Sequence, residues 1–170
     1  MKLEIFQVDA FTSVPFGGNP AAVVPLQTWL ADDLMQDIAA QNNLSETAFF
    51  VKERDRYHIR WFTPTMEVNL CGHATLASAH VIFNELELEK NSIVFHSDKS
   101  GALGVERRDG RLVLDFPAYQ ITEIEQSDAL AQALGKVPVK VWSAINDGVM
   151  VRLETEQDAR NLEPDFHALA

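Results

Sequence analysis

Cys71 is the only cysteine in the 170-residue chain, so no internal disulfide can form, which fits a reducing compartment. Cationic side chains are also scarce: 14 Lys and Arg stand against 25 Asp and Glu, a formal net charge of -11. A protein that grips phosphate backbones needs clustered cations, so the charge balance argues against nucleic acid as a partner. No run approaches the roughly 18 apolar residues of a membrane-spanning helix. The opening MKLEIFQVDAF lacks the apolar core of a secretory signal. The expectation is a cytoplasmic protein with no membrane partner.

What the chain does contain is a series of short β-branched and aromatic runs, several alternating with period two. These include LEIFQV, AAVV, TAFFVK, YHIRWF, SIVFH, LGVER, LVLDF, VKVWS and VMVRL. In YHIRWF the alternation puts Tyr57, Ile59 and Trp61 on one face and His58, Arg60 and Phe62 on the other. Turn residues separate the runs at PFGGNP, ERDR, SDKSG and RRDG, and RRDG between LGVE and LVLDF predicts a hairpin.

Helical pattern is confined to four segments. WLADDLMQDIAAQNN carries Leu30, Leu34 and Ile38 at four-residue spacing, with Thr28 as the expected N-cap. CGHATLASAHVIFNE is the second, SDALAQALG the third with Gly135 as its stop, and TEQDARNL a short fourth with Thr155 and Asp158 at capping-box spacing. The second has small residues almost all round, whereas a surface helix keeps a polar face, so it is expected to be buried among strands. Many strands and few helices predict an α+β fold, a curved, mainly antiparallel sheet wrapped around a central helix. A boundary is expected at Pro117, giving units 1–117 and 118–170, with an acidic helix opening the second. The rhythm of VWSAINDGVMVRLETEQDARNL echoes the N-terminal segment and leaves an internal repeat open.

Chemistry concentrates where the second helix begins. A helix N-terminus offers unpaired N–H groups to an anion, and Gly72 there lets a carboxylate come close or merely relieves crowding. Cys71 is a small buried hydrophobe or, at a helix N-terminus, a reactive thiol. His73 is a core histidine or a donor to a ligand. The other histidines, His58, His80, His96 and His167, show no ligand spacing with it, so no metal is expected. Glu46 in NNLSETAFF is a solvated carboxylate or, facing a closed cavity, a group suited to proton transfer. Asn19 in GGNPAAV is a turn residue or an amide offered to a ligand.

In combination, VDAFTSVPFGGNPAAVV, NNLSETAFF and RWFTPTMEVNLCGHATLASAH closely resemble the phenazine-biosynthesis PhzF-like family, relatives of diaminopimelate epimerase. The resemblance is strong over residues 2–116 and looser beyond. It implies two similar lobes, each a curved sheet around a central helix, with the active site between them, in a homodimer that uses no metal or organic cofactor. It implies an isomerase that moves a proton between carbons of a small carboxylate-bearing metabolite. Glu46 matches the family's general acid/base and Asn19 a substrate-contacting amide. His73 matches a histidine beside the catalytic carboxylate, and Gly72 and His73 lie at the mouth that receives a substrate carboxylate. Cys71 occupies the place of the first catalytic thiol of diaminopimelate epimerase, as lining here because the second thiol is missing.

Length departs from the family pattern. The chain resembles a diaminopimelate epimerase-like first lobe with a second lobe that is incomplete, and it reads as truncated. Two alternatives stay open: a non-catalytic remnant acting through binding or oligomerisation, and a thiol-dependent amino-acid epimerase.

Overall fold

The computed structural model describes residues 2–118, 120–144 and 148–169. The chain divides into two compact units, Met1–Pro117 and Ala118–Ala170.

In the first unit the strand runs of the sequence become β1 (Phe6–Ala10), β2 (Asn19–Leu26), β3 (Glu46–Glu53), β4 (Arg56–Phe62), β5 (Glu67–Val68), β6 (Ser92–Ser97), β7 (Gly101–Arg108) and β8 (Arg111–Asp115). Two helices interrupt them, α1 (Asp32–Asn42) and α2 (Gly72–Val81). The sheet order is β1-β2-β3-β4-β6-β7-β8, with β5 paired to β4. Only β2 with β3 and β4 with β6 run parallel. Strands from both ends of this order, β1 and β8, pack on α2, so the sheet curls around that helix.

Slimness is what makes the curl possible. Ala74, Ala77 and Ala79 are buried, and the polar residues among them satisfy themselves. Thr75 Oγ1 donates to the Cys71 carbonyl at 2.6 Å and Ser78 Oγ to that of Ala74 at 2.8 Å, so their hydroxyls cost little to bury. Around α2 close Phe50, Tyr57, Ile59, Trp61 and Phe95. On the opposite face of the sheet Val24, Phe49, Val51 and Phe62 pack with Met35 and Ala39 of α1. The alternation in β4 therefore divides two cores, as its period requires.

The hairpin turn closes β7 onto β8, with Asp109 at φ 51° and Gly110 at φ 73°. Positive φ at both central residues matches the right-handed twist of the flanking strands.

Several expectations are corrected. Helix α1 starts after Ala31 rather than after Thr28, because Trp29 and Leu30 remain non-helical and pack into the second core. Arg60 also holds the first turn of α1. It donates to Asp32 at 2.8 Å, forks onto Glu67 at 2.7 and 2.8 Å, and stacks over Trp29. The buried face of α1 consequently carries Met35 and Ala39, and Leu34 is exposed. The second helix runs as α-helix only to Val81 and continues as a π turn, Ile82–Leu86. That turn delivers Glu87 to Lys52, Tyr57 and Lys90.

In the second unit a strand, β9 (Thr122–Ile124), precedes the first helix, where an acidic helix was expected directly after Pro117. It pairs with β10 (Lys140–Ser143), which pairs with β11 (Val149–Arg152), all antiparallel. Helix α3 (Asp128–Leu134) is capped by Ser127, whose Oγ accepts from Leu130 N–H, and stopped by Gly135. Thr155 and Asp158 form the capping box of α4 (Glu156–Arg160), and α5 (Phe166–Leu169) follows. Strand, antiparallel strand and helix thus recur in the order of β1, β2 and α1. Residues 145–147 of the compared segment lie outside the described residues.

Candidate functional site

Two elements set the site. Glu46 opens β3 and lies beside Ala21 of the parallel neighbour β2, while Cys71 is the N-cap of α2 and His73 stands in its first turn. The curl of the sheet brings the β3 start and the α2 start together. Glu46 Oε2 then lies 3.4 Å from His73 Nε2, and Cys71 Sγ lies 3.3 Å from His73 Nδ1. The imidazole is held between a thiol and a carboxylate, with its side chain 8% exposed and that of Glu46 20% exposed.

Glu46 Oε2 and His73 Nε2 approach within ion-pair distance but at an orientation that makes no hydrogen bond, so both are buried polar atoms without a partner. Such atoms carry a desolvation cost unless water or a ligand meets them. Among the described residues Trp61 Nε1 and His58 Nε2 are the other buried side-chain polar atoms without a hydrogen-bond partner, and the indole N–H of Trp61 is a donor. Its sequence position marked it only as a core residue, although a buried indole N–H ordinarily finds an acceptor.

Burial pushes the Cys71 thiol up to about 12, with the neighbouring Glu46 carboxylate adding to the rise and the backbone N–H groups of Ala74 and His73 opposing it. The helix N-terminus could have made this thiol reactive, but desolvation outweighs it. Burial thus favours the protonated S–H at neutral pH.

Gly72 leaves open space, since a Cβ built there would meet nothing within 4 Å. Crowding relief is therefore not its reason. Cys71 makes no side-chain cap, and the first helical bond of α2 runs from Thr75 N–H to the Cys71 carbonyl, so the N–H groups of the opening turn are left without helical partners.

Asn19 opens β2, where its Oδ1 accepts from Ser45 Oγ at 3.4 Å. It is placed there by Gly18, whose φ is +78° and where a Cβ would meet the Ala10 carbonyl oxygen at 2.1 Å. The link from Asn19 to Ser45, the residue before Glu46, was not read from the sequence, because a serine before a strand gives no distinctive signal.

Glu46, Cys71 and His73 are the one group among the described residues whose donor atoms lie within 4.8 Å of one another in a manner open to a metal ion. The fit is poor. The thiol approaches the imidazole at Nδ1 and the carboxylate at Nε2, so the two face different nitrogens of one ring, and three side chains fall short of the four ligands of a closed tetrahedral site. A hollow of about 860 Å³ lies elsewhere, between the edges of β1 and β8 and along Leu76, Ala77 and His80. Its lining does not include Glu46, Cys71 or His73, whereas two of the unpartnered buried atoms, Glu46 Oε2 and His73 Nε2, lie at the α2 mouth.

A family model described as phenazine biosynthesis-like protein matches residues 8–170. An uncharacterized isomerase of Pseudomonas aeruginosa is 55% identical over 170 residues, which cover 100% of this chain and 64% of that protein. Phenazine biosynthesis-like domain-containing protein 1 of Mus musculus is 42% identical over 96% of this chain and 61% of its own length. The crystal structure of a phenazine biosynthesis protein of the PhzF family from Enterococcus faecalis superposes with a TM-score of 0.89 at 41% identity, covering 99% of this chain and 64% of that one. A predicted epimerase of Pseudomonas aeruginosa, 19% identical over 96% of this chain and 63% of its own, shares the fold with a TM-score of 0.71. The chain spans about 64% of the length of the bacterial relatives it matches. From its strands, its central helix and the match over residues 8–170, the chain belongs to the phenazine biosynthesis-like protein family.

Proposed function

We propose that Glu46 is the general acid/base of an isomerase that moves a proton between two carbons of a small, carboxylate-bearing metabolite. The observation that carries this reading is the pair of unpartnered buried atoms, Glu46 Oε2 and His73 Nε2, 3.4 Å apart at the mouth of α2. A substrate entering there supplies the partners that both atoms lack.

The chemistry needs few parts. Glu46 takes a proton from one carbon as that C–H bond breaks, and the electron pair moves into the unsaturation of the substrate. The same carboxyl returns the proton to a second carbon, so one group suffices when both carbons present the same face. The substrate carboxylate is received by the N–H groups of Gly72 and His73, where the helix dipole and the open space at Gly72 favour an anion. Asn19 and His73 contact the substrate, and Cys71 lines the site. No metal or organic cofactor enters this scheme, and we place the enzyme in the cytoplasm as a homodimer.

The thiol-dependent epimerase reading loses support, because a thiol held at about 12 is a poor base at neutral pH. Incubation of the protein in deuterium oxide with a panel of unsaturated cyclic carboxylic acids tests the proposal, with label in the recovered acids read by mass spectrometry. Enzyme-dependent incorporation at carbon supports it, and incorporation that persists in Glu46→Gln removes Glu46 from the role.

A further inference from the structure

We propose that Cys71 is a positioning residue that fixes the tautomer of His73 by donating its S–H to Nδ1. The ring proton then sits on Nε2, facing Glu46. The consequence for proton transfer rests on the reading of Glu46 given above, while the tautomer itself is a separate and separately measurable property.

The geometry carries the argument. Sγ lies 3.3 Å from Nδ1, within reach of a sulfur hydrogen bond, and both residues are buried, at 6% and 7% exposure. A neutral imidazole has one donor nitrogen and one acceptor nitrogen, and the hydrogen bond made at one decides the state of the other. An S–H at Nδ1 makes that nitrogen the acceptor. Burial of the thiol keeps its proton in place, so it donates rather than accepts.

The opposite tautomer fails on two counts. Nε2 would turn its lone pair toward Glu46 Oε2, 3.4 Å away, with no bond available to either atom. Nδ1–H would point at a thiol that also carries a hydrogen. The Nε2–H tautomer instead turns a donor to the side of the carboxylate, where a substrate oxygen can accept it, and keeps the S–H contact at Nδ1.

Sequence spacing makes the contact possible. As N-cap of α2, Cys71 has extended backbone, φ -140° and ψ 113°, and its side chain makes no cap bond, which frees Sγ to reach the residue two positions on. The Glu46 carboxylate also lies near Sγ and is the competing acceptor for the thiol proton. The shared proton is the point the experiment must decide.

Protein labelled with 15N-histidine, with the His73 signals assigned by their loss in His73→Gln, reports the tautomer from long-range proton–nitrogen correlations. The expected wild-type result is Nε2–H in excess. In Cys71→Ala that excess falls by up to about tenfold, the population equivalent of one net hydrogen bond, and in Cys71→Ser, which keeps a donor, Nε2–H remains the major form. Deuterium incorporation is expected to fall in Cys71→Ala and recover in Cys71→Ser. A wild-type His73 in the Nδ1–H form, or the same tautomer ratio in wild type and Cys71→Ala, overturns the proposal. A lock seen by resonance without any effect of Glu46→Gln on exchange would leave the tautomer assignment standing and defeat the proton-transfer reading instead.

Discussion

Replacing Gly72 by alanine separates folding from ligand approach at the α2 mouth. A methyl group there meets nothing within 4 Å, and the residue lies in the first turn of a helix without a positive φ. Alanine is the better helix former, by up to roughly 1 kcal/mol in a helix interior and less at the first position. A gain of about 0.5 kcal/mol corresponds to a rise in Tm of about 1–2 °C for a domain of this size. If a carboxylate comes close to the backbone N–H groups, the same methyl group intrudes on it. Losing one charge-assisted hydrogen bond costs about 1.5–3 kcal/mol, or a tenfold to hundredfold weaker Kd. Scanning fluorimetry measures the first effect, and calorimetric titration with benzoate and cyclohexene-1-carboxylate measures the second. An unchanged Kd, or a Tm lowered by several degrees, would refute the account of why glycine stands there.

Three further substitutions test the scaffold. Gly18→Ala is expected to destabilise by about 2 kcal/mol or more, since it adds a left-handed penalty to a clash with backbone at 2.1 Å, read as a lowered urea midpoint. Glu87→Gln is expected to cost about 1–2 kcal/mol at pH 7, an amount discounted for the half-exposed Lys52. Burial opposes ionisation of Glu87, yet bonds from Lys52, Tyr57 and Lys90 hold its carboxyl down at about 2 against an ordinary 4.5. A depressed folded-state value means that the contribution is whole above pH 4.5 and fades as pH falls toward 2, so variant and wild type converge across that window in urea titrations. Ser127→Ala removes the cap of α3 and is expected to cost about 1 kcal/mol, seen as earlier hydrogen exchange at Leu130.

Much of this scaffold was legible because the signals are local. The run of small residues after Gly72 specified a helix that a sheet can wrap, the alternation in YHIRWF put Tyr57, Ile59 and Trp61 on the face that packs around α2 and Phe62 on the other, and Asp109-Gly110 chose its own turn. The misreadings are non-local. The start of α1 is set by Arg60, 28 residues away from Asp32, and Thr28 had no means of showing that competition. The parallel pairing of β4 with β6 and the presence of β9 depend on partners, and short runs do not reveal their partners. At the site the residues could be named from their resemblance to a family, but the environment of Cys71 could not. Position at a helix N-terminus suggests a lowered thiol pKa, whereas the packing of the curled sheet over it imposes the opposite.

The central question is whether the half-buried Glu46 or the buried Cys71 carries the proton. The direct measurement compares the rate of solvent deuterium incorporation into an unsaturated cyclic carboxylic acid for wild type, Glu46→Gln and Cys71→Ser. A fall of at least about a hundredfold in Glu46→Gln, the usual scale of general acid/base catalysis, with most of the rate kept in Cys71→Ser, is the predicted result. Loss of exchange in Cys71→Ser with the rate retained in Glu46→Gln would contradict it.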